Sequence, residues 1–199
     1  MKKLIYNVII VCVFFSCSSS EKPSYPQIIQ SKRDYIDLGF RGVNSPLTQE
    51  DKESFAGLSY YEIDSNFRVD AKLSWNLEVK PVRLIKDTTI ESLYYPIANL
   101  TFTIGDNNCI LIGYTRAPEN KKEIFIPFYD LTSGEETYAG GRFLEALIDN
   151  DERVLLDFNL SYNPYCAYNV SYTCAVPPFS NDLKVEILAG EKKPSFLKH

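Results

Sequence analysis

The chain has 199 residues, of which 45% are hydrophobic and 24% charged, and its formal net charge is −5. This composition is that of a globular protein with enough apolar residues for one domain and a sizeable core. The acidic balance argues against nucleic acid as a partner, because phosphate binding needs clustered Lys and Arg. It argues equally against electrostatic adhesion to anionic lipid.

The first residues have the three parts of a bacterial secretory signal. Two lysines precede an apolar run from Leu4 to Phe15, and small residues surround Cys17. We therefore predict a signal peptide over residues 1–16 and a lipid-anchored tether over 17–26, with the protein held in the cell envelope by a lipid on Cys17. The alternative is an uncleaved membrane anchor, but the run is shorter than the about 20 residues of a transmembrane helix.

Two short helices are predicted after the tether. Apolar residues recur at helical spacing between residues 27 and 40, which indicates an amphipathic helix. Thr48 is a suitable N-cap, and the acidic residues after it predict a second helix that ends before Gly57. Beyond Gly57 the apolar period changes to two, the period of a β-strand.

From this point the chain predicts about nine short strands in a single domain over residues 27–192, followed by a tail over 193–199. Two hairpins are expected, one around residues 64–66 and one around residues 149–152, and a turn at residues 105–108 is expected to join the strands before and after it. No helical segments separate the strands, which excludes a doubly wound α/β sheet and favours a mainly β fold, either an antiparallel β-sandwich or a partly open β-barrel. The predicted strands lie at 60–63, 67–73, 77–84, 97–104, 109–115, 122–129, 142–148, 153–158 and 183–188.

A series of motifs in order gives the chain a recognisable likeness. It resembles the bacterial family named domain of unknown function 1684, over about residues 34–192. The resemblance implies a shared fold and a shared site, and it supplies no reaction. The motifs that carry it are Ser45-Pro-Leu47, Pro127-Phe-x-Asp-Leu-Thr-Ser-Gly-x-Glu-Thr-Tyr-x-Gly-Gly-Arg142, Asp157-Phe-Asn-x-x-Tyr-Asn-Pro-x-Cys166, Thr173-Cys174 with Pro177-Pro178, and Ala189-Gly-Glu-Lys192.

Arg142 is the first candidate for a ligand contact. It follows Gly140 and Gly141, which allow close approach of the backbone, and its guanidinium can bind a carboxylate or phosphate through two parallel hydrogen bonds. The alternative is an internal ion pair, for which Asp157 and Glu191 are the natural partners.

Further candidates follow in one short segment. Asp157 and Asn159 lie two positions apart on a predicted strand, so they project to the same face. Tyr162 and Asn163 come next in the chain. The predicted ligand-binding set is therefore Arg142, Asp157, Asn159, Tyr162 and Asn163.

An enzyme built on this chain would depend on carboxylates. The single histidine is His199 at the end of the chain, so His-based nucleophile systems and metal sites have no histidine within the domain. Glycoside hydrolysis by two carboxyl groups suits this set of side chains. The candidates are Asp130, Glu136, Asp157 and Glu191; for the segment that carries the first two, a solvated turn is the alternative.

The cysteines indicate a disulfide bond between Cys166 and Cys174 rather than a metal site. Cys166 and Cys174 are eight positions apart and close a small loop, whereas Cys109 lies in an apolar strand and is expected as a buried thiol. Zinc normally needs four ligands, so these cysteines make a weak metal site, and we expect neither a metal nor a cofactor.

These observations leave three hypotheses. The first is an envelope lipoprotein whose β domain binds a small molecule or an extended ligand. The second is a carboxylate-dependent, glycosidase-like hydrolase, and the third is a structural component of the envelope.

Overall fold

The computed structural model describes residues 22–85, 92–119, 122–149 and 153–196. The predicted signal peptide and Cys17 lie outside the described residues. Within these four segments, no helix combines the length and the hydrophobicity needed to cross a membrane.

Both predicted helices form. Helix α1 spans Tyr25–Arg41 and helix α2 spans Gln49–Ser54. The Gln27 side chain accepts a hydrogen bond from the backbone N–H of Ser24, at the start of α1. Thr48 Oγ1 accepts from the backbone N–H of Asp51, so it caps α2 as its sequence position predicts.

Six antiparallel strands form one sheet in the order β5-β4-β3-β2-β1-β6. The two strands at the ends of this order, β5 and β6, approach each other, so the sheet curves into a nearly closed barrel. The prediction of a mainly β, antiparallel fold is thereby confirmed. The strands are β1 (Arg68–Trp75), β2 (Tyr95–Ile104), β3 (Asn107–Thr115), β4 (Glu123–Phe128), β5 (Arg142–Leu147) and β6 (Arg153–Asp157).

The described residues form six strands instead of about nine. They form one curved sheet, which agrees with the barrel and not with the sandwich among the two predicted architectures. Residues 60–63 do not form a hairpin with β1, which pairs with β2 and β6. Strands β5 and β6 pair with β4 and β1, so they do not form the second predicted hairpin. Alternating polarity reports which side chains are buried, whereas strand pairing depends on contacts far away in the sequence.

The last predicted strand shows the same distinction. Leu183, Val185, Ile187 and Ala189 are buried at alternate positions, as predicted, and they pack into the main core. The segment is extended but does not join the ladder of six strands. It therefore covers the interior of the barrel without being a strand.

Asn181 joins strands β3 and β4 at a place where they diverge. The pairing of these strands centres on Tyr114 and Phe125. Farther on, Asn181 Oδ1 accepts from the backbone N–H of Ile112 (2.7 Å), and Asn181 Nδ2 donates to the carbonyls of Ile112 (2.9 Å) and Pro127 (2.8 Å). The buried Asn181 side chain thus supplies hydrogen bonds to backbone groups of β3 and β4 where these two strands do not pair with each other.

Two smaller apolar clusters lie outside the main core. One covers the outer face of the sheet and includes Tyr94, Tyr114 and Phe143. The other joins the two helices to the loop after β6, with Phe40 packed edge-on against Tyr168 at a centroid distance of 4.8 Å. Between these clusters the outer face of the sheet remains open.

Candidate functional site

A cleft of about 790 Å³ lies on the outer face of β4 and β5. Because successive side chains of a strand point to opposite faces, Ile124 and Leu144 enter the core while Phe125, Phe143 and Glu145 face outward. We call this space the Glu191 cleft, after the glutamate that also lines it. Its volume is in the range of binding sites for small organic molecules.

Two different parts of the chain form the walls of the Glu191 cleft. Ile36 and Phe40 of α1 line it, and so do residues of the loop from Pro164 to Ala175. The predicted bridge between Cys166 and Cys174 closes this loop, which confirms the pairing. The disulfide therefore shapes a wall of the cleft.

Four aromatic rings form a continuous row along the cleft. The ring centroids of Tyr94 and Phe125 are 5.6 Å apart, those of Phe125 and Phe143 are 4.8 Å apart, and those of Phe143 and Tyr162 are 5.8 Å apart. At one end of the row, Arg116 Nη2 donates to the Tyr94 hydroxyl (2.6 Å), and its guanidinium lies over the same ring. The row gives the cleft an apolar surface with one cation at its edge.

Glu191 is the buried acid of the cleft, with only 2% of its surface exposed. Its Oε2 accepts from the backbone N–H of Asn163 at 2.9 Å. Burial raises the pKa of Glu191 from 4.5 to about 8, although the Asn163 amides and the Arg142 charge act in the opposite direction. Burial therefore favours the neutral form of the carboxyl, in which Oε2 accepts the Asn163 N–H.

Asn163 has a fixed orientation beside Glu191. Its Nδ2 donates to the carbonyl of Lys192 (2.8 Å) and to the Tyr168 hydroxyl (3.3 Å). A 180° rotation of the amide would place Oδ1 against the Lys192 carbonyl oxygen, and both atoms are acceptors. The positions of Nδ2 and Oδ1 are therefore defined.

Both residues carry a buried atom without a partner. Glu191 Oε1 and Asn163 Oδ1 make no hydrogen bond within the described part of the chain. Other buried atoms of this kind occur in Arg33, Tyr60 and Arg142, but none of these residues lines the Glu191 cleft. An unpaired buried polar atom costs about 1–3 kcal/mol, so this pair of oxygens is an unsatisfied polar position in the wall of the cleft.

Tyr162 and Glu145 form the second polar feature of the cleft. The Tyr162 hydroxyl donates to Glu145 Oε1 at 2.8 Å. Burial, together with the charge of Glu145, raises the pKa of Tyr162, so its hydroxyl stays protonated and keeps this bond. Glu145 is exposed at the rim.

Arg142 lies inside the barrel, on the opposite face of β5 from Phe143. Its side chain is fully buried, and Nη1 donates to the carbonyls of Ala189 (2.5 Å) and Glu191 (3.3 Å). Nη2 donates to the Ile187 carbonyl (2.9 Å) and to Asp130 Oδ2 (3.3 Å). The internal ion pair considered as an alternative is present, but its partner is Asp130.

This position does not support the predicted contact between Arg142 and a ligand, because no part of its side chain reaches the surface. The preceding glycine also has a packing role. Gly141 has φ of 81°, and a Cβ at this position would lie 2.7 Å from both the Phe128 carbonyl oxygen and the Pro177 side chain. The backbone at these glycines does approach other atoms closely, as predicted, but those atoms belong to the protein and not to a ligand.

Asp157 and Asn159 lie together but away from the Glu191 cleft. Asp157 is the last residue of β6, and Asn159 lies in a 3₁₀ turn, so the two do not share a strand face. Asp157 Oδ1 accepts from the backbone N–H of Asn159 (3.2 Å) and from the Tyr25 hydroxyl (2.8 Å). The pair attaches the first turn of α1 to the barrel.

The structure also separates the four candidate acids. Asp130 is buried beside Arg142, and its Oδ2 also accepts from the backbone N–H of Ile187 at 2.8 Å. Glu136 is exposed and accepts from the Tyr61 hydroxyl at 2.5 Å. Among the four, only Glu191 lines the cleft.

Several residues of the cleft were not predicted from the sequence, namely Tyr94, Arg116, Glu123, Phe125, Phe143 and Glu145. The alternation of Phe143 and Glu145 on β5 was a usable signal, because these side chains share a face. Of the predicted ligand-binding residues, Tyr162 and Asn163 do line the cleft.

Comparison with known proteins agrees with the motifs. The chain is similar to the uncharacterized protein from gene locus rrnAC0354 of Haloarcula marismortui, known from a solution NMR structure, with 33% identity, a TM-score of 0.69, and coverage of 86% of this chain and 95% of that one. No functionally curated protein matches the chain. The model of the family described as "Protein of unknown function (DUF1684)" matches residues 53–192, and the chain therefore belongs to that family.

Proposed function

We propose that this protein binds a small organic ligand in the Glu191 cleft. The observation that carries the proposal is the pair of buried, unpartnered oxygens, Glu191 Oε1 and Asn163 Oδ1, on residues that line an aromatic cleft. An apolar cavity with a few convergent polar groups is the usual form of a small-molecule site.

A screen of small organic compounds by NMR, with the ¹⁵N-labelled protein, tests the proposal. We expect bound compounds to shift the backbone amides of Phe125, Phe143 and Asn163. Thr173→Trp narrows the exposed rim of the cleft and is expected to weaken binding. The matched control is Ser171→Trp, an exposed position of the same loop that does not line the cleft. Equal binding by the two variants, or a screen without shifts at these amides, would contradict the proposal.

A second candidate function is carboxylate-dependent hydrolysis. It is favoured by the raised pKa of Glu191, which suits a general acid, and by the presence of Glu145 in the same cleft as a second carboxyl group. Glu191→Gln and Glu145→Gln should each abolish hydrolysis of aryl glycosides, while the exposed Glu136→Gln retains it. An inactive wild-type protein would remove this candidate and leave ligand binding in place. If neither binding nor hydrolysis is found, a structural role in the envelope is the remaining function.

We also propose that the protein acts in the cell envelope as a lipoprotein, on the evidence of its leader sequence. Radiolabelled palmitate should be incorporated into the wild-type protein and not into Cys17→Ser. Incorporation into both would contradict lipidation at Cys17.

A further inference from the structure

Helix α1 has a second apolar side, which faces away from the barrel. Its first apolar side, with Ile29 and Phe40, is buried against the rest of the protein. Three further apolar residues of the helix have 42%, 78% and 66% of their surfaces exposed. At about 100° per residue, the three lie within about 80° of one another around the helix axis. We call them the α1 stripe; they are Ile28, Tyr35 and Leu38.

The α1 stripe carries no charge. Ser31 is the only other residue of α1 in the same sector of the helix, and it is uncharged. The charged side chains begin at the borders of the sector, with Asp34 beyond Leu38 and Lys32 beyond Ile28. An exposed apolar stripe between polar borders is the pattern of a helix that lies in the interface of a lipid bilayer. Tyrosine is among the residues that favour this interface, because its ring is apolar and its hydroxyl is polar.

The α1 stripe is also close in the chain to the lipid that we propose on Cys17. Helix α1 begins at Tyr25, eight positions after Cys17, so the chain between them spans at most about 29 Å when extended. A short tether of this kind gives the bilayer a millimolar effective concentration at the helix, so weak contacts are sufficient. The net charge of the protein is −5, and anionic lipid therefore does not attract it. The second contact with the membrane has to be apolar, as the α1 stripe is.

We propose that α1 docks on the surface of a lipid bilayer through the α1 stripe, with its axis parallel to the membrane. This inference rests on the proposed lipoprotein assignment. It extends that assignment by a second contact, and stable anchoring of a lipidated protein commonly combines its lipid with such a contact.

Quenching of tryptophan fluorescence by brominated lipid tests the docking. Trp75 is the single tryptophan of the chain, so each variant below adds one fluorophore to a constant background. Tyr35→Trp places it in the α1 stripe. Gln30→Trp, the matched control, places it on the polar side of the helix, where Gln30 is exposed and donates to Asp34.

The lipidated protein is reconstituted into phosphatidylcholine vesicles with or without bromine in the acyl chains. We expect bromine to remove about half of the fluorescence added by Tyr35→Trp and little of that added by Gln30→Trp. Equal quenching at the two positions, or quenching at neither, would overturn the docking. A second copy of the chain covering the stripe would give the latter result, because bromine would then not reach residue 35.

A pair of charge substitutions provides a second test. Leu38→Glu and Gln30→Glu each add one carboxylate at an exposed position of α1, the first in the stripe and the second outside it. In the Tyr35→Trp protein, Leu38→Glu should reduce quenching at least about threefold, because a charge is costly in an apolar environment. Gln30→Glu should leave quenching unchanged. The same quenching in both variants would also overturn the docking. Equal melting curves by circular dichroism show that both variants are folded.

Failure of the docking and failure of the lipoprotein assignment give different results. Palmitate incorporation reports the lipid on Cys17, whereas quenching reports the position of the helix. A protein that incorporates palmitate but shows no quenching of Tyr35→Trp would overturn the docking and leave the lipoprotein assignment in place. A wild-type protein that incorporates no palmitate would overturn both, because the tether to the membrane would then be absent.

Discussion

Arg142 Nη2 lies 3.3 Å from Asp130 Oδ2, and neither side chain reaches solvent. The same guanidinium holds the carbonyls of Ile187 and Ala189, so it connects β5 to the segment that covers the barrel. A buried ion pair adds little net stability over a well-packed apolar pair, but removal of one partner leaves an uncompensated charge. Arg142 is therefore a structural residue.

Arg142→Met should destabilise the protein by about 3–5 kcal/mol, because Asp130 and the backbone carbonyls lose their donor. Urea denaturation followed by circular dichroism measures this loss. Lys32→Met is the control, since Lys32 is exposed on helix α1 and the effect there should stay within about 0.5 kcal/mol. A similar loss in both variants would show that Arg142 has no special role.

Glu191 should make the stability of the protein depend on pH. Its folded-state pKa of about 8 lies above its ordinary value of 4.5, so between these values the folded state holds a proton that the unfolded state has released. The contribution of Glu191 to the free energy of unfolding is fully present below pH 4.5 and decreases as pH rises to about 8. The decrease approaches about 1.4 kcal/mol per pH unit.

Glu191→Gln should remove this slope, as measured by urea denaturation at a series of pH values. The quantity to compare is the difference between wild type and variant, because other carboxylates contribute slopes of their own. Glu186→Gln changes an exposed glutamate and should leave the wild-type profile unaltered. A constant difference between wild type and Glu191→Gln across this range would contradict a neutral Glu191.

Asn181→Ala should lower the free energy of unfolding by about 2–4 kcal/mol, because each backbone group left unpaired costs about 1–3 kcal/mol. The affected groups are the N–H and carbonyl of Ile112 and the carbonyl of Pro127. Hydrogen exchange gives a local measurement, in which the Ile112 amide should lose protection. Asn108→Ala, at an exposed position of β3, is the matched control. Unchanged protection of Ile112 would show that Asn181 is dispensable.

The disulfide should stabilise both the fold and the cleft wall. Replacement of Cys166 and Cys174 together by serine is expected to cost about 2–3 kcal/mol, the chain-entropy value for a loop of this length. Peptide mapping without reductant should recover the two cysteines linked and Cys109, which is buried and free, as a thiol. Recovery of Cys166 and Cys174 as free thiols would contradict the bridge.

The sequence was sufficient to predict those features that depend on residues close together along the chain. The cap at Thr48 and the turn between β2 and β3 are interactions over a few residues, and both form as predicted. Cys166 and Cys174 are also close in sequence. The family motifs, read in order, placed the chain in its family without any structure.

Strand pairing and the position of Arg142 were decided by tertiary structure. A period of two shows that Arg142 and Leu144 share one face of β5 while Phe143 and Glu145 share the other. It does not show which face closes over the core, because that depends on how the barrel curves and on where the C-terminal segment lies. Those long-range contacts direct Arg142 inward, leave Phe143 and Glu145 in an open cleft, and place Glu191 beside Asn163. The sequence alone therefore determined the fold class and the family, and the tertiary structure selected the candidate site.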